Sequence, residues 1–372
     1  MHIVYFFTYG YSLKSWSISG ILDRELKIFE YLIEKYGVKF TFITYGNDSD
    51  LIFDLNKNIN VVPIYSIKKE RKGKVFGFFN SFLLSSKLLA EIGNFDLIKQ
   101  NQLLGSWVSI MLKIRSGKPL YIRTGYDMFV FSLKDRKSII KKFLYFWLTQ
   151  ITLFFSDIYS VTSESDFAVL EKYFLGTKKV VIRANWVEQK KIFDSNNRSN
   201  HKILTVGRLE EQKDYPFLIR SLKDTGFVLD IIGEGTKQRE LENLAAKLSV
   251  KVNFLGIVNN TELLALYGEY KYFISTSSFE GNPKAILEAM GSGCLVLANN
   301  IPNNSEIISH LENGVLFSKE NGNLKKLILS LNSLENVNEI SQNAVEYVAK
   351  FNSIEKASLE FYNDFDSITS IS

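Results

Sequence analysis

The stretch "YFISTSSFEGNPKAILEAMGSGCLVLANN", residues 272–300, contains a complete strand–loop–helix–strand pattern. Both ends are apolar runs of strand length, and the middle has helical spacing of apolar residues. Pro283 suits the first turn of a helix, whereas Gly291 and Gly293 suit its end. A helix between two such strands predicts a parallel βαβ unit, and therefore an α/β fold.

The same alternation of strand and helix patterns recurs along the whole chain. Each half contains a series of short apolar runs separated by amphipathic segments, which predicts two doubly wound, Rossmann-like domains. The runs are "IVYFFT", "KFTFIT", "VVPIY", "LIKQ", "LYIRT" and "IYSVTS" in the first half, then "KILTVG", "FVLDIIG", "VNFLG", "YFISTS", "LVLANN" and "GVLF". Ligands of such sheets bind beyond the carboxyl ends of the strands, so a ligand is expected in the cleft between the two domains.

Length and composition agree with two folded domains. The 372 residues exceed the usual size of one domain, and apolar periodicity fades between residues 184 and 201. We therefore predict an N-terminal domain over residues 1–185 and a C-terminal domain over residues 186–350. Residues 351–372, which begin "FNSIEKASLEFYNDF", are predicted to form a helix that packs back on the N-terminal domain.

Charge and cysteine content exclude several classes of protein. A net charge of +5 is too small and diffuse for a nucleic-acid partner, although it permits anionic ligands. The single cysteine, Cys294, excludes an intrachain disulfide framework and favours a reducing compartment. The N-terminus lacks the features of a signal peptide, and no apolar run reaches the ~20 residues that span a bilayer. A cytoplasmic location is expected.

Two cations follow the first strand of the second half, in "VGRLEEQKDYPF". Arg208 and Lys213 lie in a strand-to-helix loop after Gly207, which suits a diphosphate because Arg binds oxygens bidentately and Lys acts as a point charge. The alternative is a solvated loop in which both cations pair with Glu210, Glu211 or Asp214.

The next strand ends in "IIGEG", where Gly233 and Gly235 permit a tight turn and a close approach to the backbone. This spacing falls short of a dinucleotide-binding pattern, and a plain turn is the alternative.

Two glutamates flank the helix start in "FEGNPKAILEAMGSG". Glu280 precedes the helix and Glu288 lies within it, while Gly281 and the amides of residues 282–285 form an anion-friendly helix start. A ligand with both a phosphate and sugar hydroxyls would use all of these groups. The alternative makes Glu288 the solvated partner of Lys284.

The ordered set of these motifs resembles the donor-binding half of family-4 retaining glycosyltransferases, which have the two-domain GT-B fold. The resemblance covers about residues 160–350, through "VTSESD", "IRANWVE", "VGRLEEQK", "IIGEG", "VNFLG", the double-glutamate segment and "SEIISHLENGVLF". It implies a nucleoside-diphosphate-sugar donor as co-substrate, no other cofactor, and a saccharide acceptor.

The resemblance also implies a role for each matching residue. Glu280 would hold hydroxyls of the donor sugar, Glu288 the ribose, and Arg208 with Lys213 the diphosphate. The remaining donor-binding candidates are backbone and loop positions near sugar, phosphate and base: Gly207, Gly233, Gly235, Ile257, Gly281, Asn282, Pro283, Lys284 and Ala285. In such enzymes the acceptor attacks the face that the nucleotide leaves, so that the anomeric configuration is retained.

The first half matches this family less well. Gly20 resembles the glycine of the loop that opens the first helix near the donor phosphates. Many relatives place a histidine after a mid-domain strand, where this chain reads "LYIRTGYDMF" and has none. Arg123, Tyr126 and Asp127 are the candidates there, with Asp127 as partner of the acceptor hydroxyl.

Two DxD strings, "DSD" at residues 48–50 and "DFD" at residues 364–366, permit a metal-dependent alternative. Both occur in contexts typical of solvated charge, so no metal is expected.

Basic and aromatic residues also lie side by side in "IKKERKGKVFGFFNSFLL", residues 67–84, and Lys141 and Lys142 precede "FLYFWL". This combination favours contact with an anionic membrane and a lipid-linked acceptor. The overall expectation is a metal-independent, retaining glycosyltransferase that is cytoplasmic or peripheral on the inner face of the cell membrane. The alternatives are a sugar-nucleotide epimerase and a non-catalytic nucleotide-sugar-binding subunit.

Overall fold

The computed structural model describes residues 1–67, 84–125, 128–134, 138–189, 198–320 and 322–370. It divides into two compact units. The first contains Met1–Arg183 together with Ala357–Ser372, and the second contains Ala184–Lys356.

The first unit is built on a seven-stranded, fully parallel sheet with the order β3-β2-β1-β4-β5-β6-β7. The strands are β1 His2–Phe6, β2 Lys39–Thr44, β3 Ile59–Pro63, β4 Leu97–Asn101, β5 Leu120–Arg123, β6 Ile158–Val161 and β7 Val180–Ile182. The described helices are α1 Leu13–Ile18, α2 Leu22–Tyr36, α3 Ile64–Ile67, α4 Leu84–Ile92, α5 Ser106–Ser116, α6 Met128–Lys134, α7 Ile139–Phe155 and α8 Glu164–Tyr173.

The second unit repeats this winding with six parallel strands in the order β10-β9-β8-β11-β12-β13. The strands are β8 Ser199–Val206, β9 Val228–Ile232, β10 Val252–Phe254, β11 Tyr270–Ser275, β12 Leu295–Asn299 and β13 Val315–Phe317. The helices are α9 Tyr215–Ser221, α10 Gln238–Leu248, α11 Asn260–Tyr267, α12 Lys284–Gly291, α13 Pro302–Ser305, α14 Asn323–Ser330 and α15 Val337–Phe351, and α16 Ile354–Thr369 follows. The α/β prediction is confirmed.

Alternation along the strands explains why the second sheet has apolar residues at consecutive positions. Tyr272 and Ile274 of β11 belong to one buried apolar cluster, whereas Phe273 belongs to another. Successive side chains of a strand point to opposite faces, so a sheet covered on both faces needs a continuous apolar run. In β12, likewise, Leu295 and Leu297 belong to the first cluster and Val296 belongs to the second.

The helix α16 is held in the first unit by a buried carboxylate. The guanidinium of Arg183 donates two hydrogen bonds to Asp364, at 2.6 and 2.8 Å, and the Tyr121 hydroxyl lies 3.2 Å from the same carboxylate. Tyr362 stacks on Tyr36 of α2 with the ring centres 4.3 Å apart. The helix is therefore tied to the sheet through charge-assisted hydrogen bonds and aromatic packing.

The expectation that both DxD strings are solvated charge is wrong for one carboxylate of each. Asp364 is the buried partner of Arg183, and Asp50 is fully buried. Asp50 accepts hydrogen bonds from the amides of Leu13 and Lys14 and, at 2.6 Å, from the Thr44 hydroxyl. It therefore satisfies the start of α1, a helix that the sequence patterns did not predict.

Candidate functional site

Four loops of the second unit meet at the carboxyl ends of neighbouring strands. They follow β8, β11, β12 and β13, which lie side by side in that order in the sheet. The sheet reverses its winding between β8 and β11, the position where open α/β sheets have a crevice for ligands. The motifs "VGRLEEQK" and "FEGNPK" form the first two loops, so the strand order brings them together.

Lys213 and Glu280 form the central contact between these two loops. The Lys213 ammonium lies 2.5 Å from Glu280 Oε1, and their side chains are only 20% and 10% exposed. Gln212 strengthens the contact, because its Nε2 donates to the Phe279 carbonyl at 2.7 Å and lies 3.4 Å from Glu280 Oε2. Lys213 is thus paired across the site and not with the acidic residues of its own loop.

Glycines allow the loops after β8 and β9 to pack backbone against backbone. A Cβ atom on Gly233 would lie 2.2 Å from the Gly207 carbonyl oxygen, and one on Gly235 would lie 2.5 Å from the Leu209 carbonyl oxygen. Gly207 itself has a φ of 155°, and a Cβ there would meet the Lys213 side chain at 2.8 Å. The close packing of the two loops therefore explains why glycine occupies these positions.

Asp214, which directly follows Lys213, caps the start of α9 and has an uncommon backbone conformation. Its φ is 48°, in the left-handed region that Asp tolerates better than most residues. Its carboxylate accepts from the Phe217 amide at 3.4 Å and from the Lys319 ammonium at 2.7 Å. Lys319, which follows β13, also donates to the Ser278 hydroxyl at 3.0 Å.

The start of α12 lies directly after Glu280. The first backbone hydrogen bond of this helix runs from the Leu287 amide to the Pro283 carbonyl. The Ala285 amide has no backbone acceptor in the described chain, as expected for the first turn of a helix. Asn282 is buried, and its side-chain oxygen accepts from the Asn185 amide at 3.0 Å. Gly281 is buried as well.

Glu288 is a buried residue of α12 and not a residue of a solvated face. Only 3% of its surface is exposed, and the Tyr267 hydroxyl lies 3.4 Å from its Oε2 and 3.3 Å from the Ala285 carbonyl. Lys284, one turn earlier, places its ammonium 5.1 Å from the centre of the Trp186 ring. The proposed solvated pair of Lys284 and Glu288 is therefore the wrong description of this helix.

Two predicted residues of this unit point into solvent. Arg208 is exposed, and its guanidinium makes no hydrogen bond or ion pair with the residues that the structure describes. Ile257 is 47% exposed, in the loop after β10. Both side chains are accessible to a ligand at this edge of the sheet.

The predicted residues of the first unit have other surroundings. Gly20, with a φ of 68°, lies in the turn between α1 and α2. Arg123 is buried, donates to the Arg183 carbonyl at 2.9 Å, and lies 4.9 Å from the centre of the Phe361 ring. Burial lowers the pKa of Arg123. Tyr126 and Asp127 lie outside the described residues.

Several polar residues of the second-unit site escaped the motif-based prediction. Gln212 and Lys319 connect loops that are distant in sequence, and Asn299 donates to the Ser277 carbonyl at 2.9 Å. Lone Gln, Lys and Asn residues carry no sequence signal of their own, and only their position after neighbouring strands marks them. Over the described ranges, no group of three or more His, Cys, Asp or Glu side chains could hold a metal ion.

The second unit is similar to known proteins. Residues 187–351 match the family model described as glycosyl transferases group 1. A curated relative from Campylobacter jejuni is a GalNAc-alpha-(1->4)-GalNAc-alpha-(1->3)-diNAcBac-PP-undecaprenol alpha-1,4-N-acetyl-D-galactosaminyltransferase. It is 25% identical over 231 residues, which are 60% of this chain and 64% of the relative. Four curated relatives are matched over only 26% to 64% of their own lengths.

Solved structures show the fold over the whole chain. Sucrose-phosphate synthase from Thermosynechococcus elongatus superposes with a TM-score of 0.83 at 15% identity, covering all of both chains. The Anabaena protein HepE in complex with UDP and glucose superposes with a TM-score of 0.75 at 16% identity, covering 99% of this chain and 100% of that one. The predicted GT-B type of α/β fold is therefore confirmed.

Proposed function

From the match of residues 187–351 to the glycosyl transferases group 1 model we propose that the chain is a retaining glycosyltransferase. It moves a sugar from a nucleoside-diphosphate-sugar donor to a saccharide acceptor. The second unit binds the donor, and the first unit binds the acceptor. The observation that carries the proposal is the ion pair of Lys213 and Glu280, which joins the two donor motifs at the switch point of the sheet.

The cations of this site match the charge that develops during transfer. Breaking the glycosidic bond leaves negative charge on the departing diphosphate, next to the positions proposed for Lys213 and Arg208. Cations placed for that charge stabilise the transition state more than the ground state. Lys213 is pre-positioned by Glu280, whereas the exposed Arg208 is available to bind oxygens on arrival of the donor.

The carboxylates suit hydroxyl groups of the donor. Glu280 uses one oxygen for Lys213, and a carboxylate has about four acceptor positions, so it retains capacity for sugar hydroxyls. Glu288 is proposed to hold the ribose, with its carboxylate oriented by Tyr267. The helix start at Gly281 to Ala285 offers backbone amides to the sugar and phosphate.

The stereochemistry and the absence of a metal requirement are parts of the same proposal. The acceptor hydroxyl attacks from the face that the nucleotide leaves, and an oxygen of the donor phosphate takes its proton. Lys213 and Arg208 supply the positive charge that a divalent ion would otherwise supply.

The acceptor is proposed to be a saccharide on a lipid carrier. Support comes from the Campylobacter relative, whose name specifies an undecaprenol-linked substrate, and from the basic and aromatic composition of the first unit. We further propose a cytoplasmic protein in peripheral contact with an anionic membrane. Arg123 has its guanidinium against Phe361 and is a poor acceptor-binding candidate, which leaves Tyr126 and Asp127 in that role.

A nucleotide-sugar-binding subunit without turnover is the second candidate. It is favoured by the absence, after β5, of the histidine that the family resemblance leads us to expect.

A panel of UDP-, GDP- and ADP-sugars tests the donor role. A ligand that binds only the folded state increases the free energy of unfolding, by about 2.7 kcal/mol at a concentration of 100 Kd, and thereby raises the melting temperature. We expect one nucleotide class to raise it, and the same donor to be consumed when saccharide acceptors are added. Stabilisation without turnover on any acceptor would favour the binding subunit, and product without acceptor would favour an epimerase.

A further inference from the structure

The helix α7 exposes a continuous row of large apolar side chains. These residues, which we call the apolar stripe, recur every three or four positions and so occupy one face of the helix. Their exposed fractions lie between 45% and 72%, far above those of core residues. The stripe consists of Ile140, Phe143, Leu144, Trp147, Ile151 and Phe154, and Ile139 beside it is 83% exposed.

The opposite face of α7 is fixed in the core of the first unit. Thr149, Thr152 and Leu153 are fully buried, and Phe146 packs on Phe174 with the ring centres 4.9 Å apart. The helix therefore has apolar residues on both faces, one covered by its own domain and the other by nothing in the described chain. Within the part of the chain that the structure describes, none of the helices has the length and hydropathy that crossing a bilayer requires.

The stripe continues beyond the helix through Leu175, which is 80% exposed. Two hydrogen bonds fix this residue to α7: Gln150 donates to the Leu175 carbonyl at 3.1 Å and accepts from the Leu175 amide at 3.0 Å. Leu175 is therefore held beside α7 with its side chain exposed.

Lysines flank the stripe at both ends. Lys141 is exposed at the start of α7 and is followed by Lys142, while the helix contains no acidic residue. At the other end the Lys179 ammonium donates to the Phe154 carbonyl at 3.1 Å and also to the Ser156 carbonyl, and Lys178 is exposed beside it. Asp157 at this second end is paired with Lys113, so Lys178 and Lys179 leave that end net positive, as Lys141 and Lys142 do at the first.

We propose that the apolar stripe of α7 is a docking surface for an anionic lipid bilayer. Trp and Phe side chains enter the boundary between headgroups and acyl chains, and lysines at both ends meet lipid phosphates. The contact places the first unit on the membrane plane, where a lipid-linked saccharide presents its sugar. This inference rests on the proposed function and adds to it the surface through which the chain reaches its acceptor.

Charge favours a bilayer over a second copy of the chain. Two copies pairing through this helix would place basic ends against basic ends whether the helices ran parallel or antiparallel, because both ends carry lysines. An anionic bilayer is complementary to both ends at once.

Vesicle binding by the full chain tests the proposal. We expect flotation with phosphatidylglycerol-containing vesicles, little with phosphatidylcholine alone, and a loss of at least about tenfold in the variant Phe143→Glu/Leu144→Glu, since charged residues are disfavoured in the acyl region. The matched controls Ile114→Glu and Leu329→Glu alter side chains of similar exposure, 57% and 56%, on other helices and should bind like the wild type.

Tryptophan fluorescence locates the contact. Trp147 is 48% exposed, whereas Trp16, Trp107 and Trp186 are buried, so a vesicle-induced blue shift reports on α7 and should vanish in Trp147→Phe.

The proposal would be overturned if the chain did not float with anionic vesicles, or if the stripe variant floated equally well. It would also be overturned if light scattering showed a dimer of the wild type that the stripe variant does not form. Donor binding is measured separately by thermal shift: a stripe variant that binds donor but not vesicles supports the surface, and vesicle binding without donor binding contradicts only the enzymatic role.

Discussion

Two lysines of this chain, Lys213 and Lys99, lie next to or within sheets of the same strand order but have opposite surroundings. Lys213 follows the first strand of the second sheet and meets a carboxylate at 2.5 Å. Lys99 lies within β4, next to the first strand of the first sheet, and is only 6% exposed. Its ammonium lies 4.9 to 6.0 Å from the centres of five aromatic rings, those of Tyr5, Phe29, Tyr121, Phe361 and Phe365.

The surroundings of Lys99 determine how readily it loses its proton. The ring faces attract the Lys99 ammonium, but the loss of hydration in a fully buried position is larger and lowers its pKa to about 7. The nearby positive charge of Arg123 lowers it further, whereas Glu25 opposes the shift. A lysine beside a carboxylate at the carboxyl ends of the strands is suited to anion binding. A lysine buried among aromatic rings lowers the stability of the fold by an amount that depends on pH.

The largest effect is expected from breaking the ion pair of Lys213 and Glu280 at the carboxyl ends of the strands. Lys213→Met and Glu280→Gln should each lower kcat by about 10²–10³, by analogy with the removal of one transition-state hydrogen-bond donor. Steady-state donor consumption with a saccharide acceptor measures the change. The control Lys251→Met removes an exposed lysine of the same unit and should leave kcat unchanged.

Circular dichroism of the same variants separates a catalytic loss from unfolding. Native spectra with unchanged turnover in both variants would contradict the roles assigned to Lys213 and Glu280.

An intermediate effect is expected from Lys99→Met, and it depends on pH. The folded-state pKa of Lys99, about 7, lies below the ordinary lysine value, so the unfolded state binds more protons between pH 7 and about 10. The burial cost is therefore complete below pH 7 and is relieved as pH rises, by at most about 1.4 kcal/mol per pH unit. Relative to Lys99→Met, the wild type should gain stability over this range in urea unfolding.

The exposed Lys39 at the start of β2 provides the matched control for this measurement. Lys39→Met should preserve the pH slope of the wild type. Parallel stability curves for the wild type and Lys99→Met between pH 7 and 10 would show that Lys99 remains protonated, and that the aromatic rings compensate for its burial.

The smallest effect is expected from Lys319→Met, which removes the partner of Asp214 at 2.7 Å. A partly exposed ion pair contributes about 0.2–1 kcal/mol, which corresponds to a decrease in kcat/KM of up to about fivefold if the pair only orients Asp214 and Lys213. Lys325→Met removes an ion pair to Asp224 in the same unit and should have no effect on kcat/KM. A loss as large as that of Lys213→Met would instead indicate direct contact of Lys319 with the donor.

Apolar patterning predicted most of the fold because both sheets are parallel and buried on two faces. Each apolar run predicted as a strand overlaps one, whereas the three-residue strand Val180–Ile182 and the helix Leu13–Ile18 were missed. The first is too short for a periodic signal, and the second depends on Asp50, which is 37 positions away from Leu13.

The sequence by itself determined the α/β class, the order of the motifs proposed to bind the donor, and the residue types suited to a nucleotide-sugar, because local spacing encodes strands, helix starts and loops. Only the tertiary structure decided that Lys213 pairs with Glu280, that Gly233 and Gly235 pack against a neighbouring loop, and that Glu288 is buried. It also placed Lys99 among aromatic rings and left the stripe of α7 exposed. Burial and charge partners depend on residues distant in sequence, which the sheet order brings together and which no local pattern records.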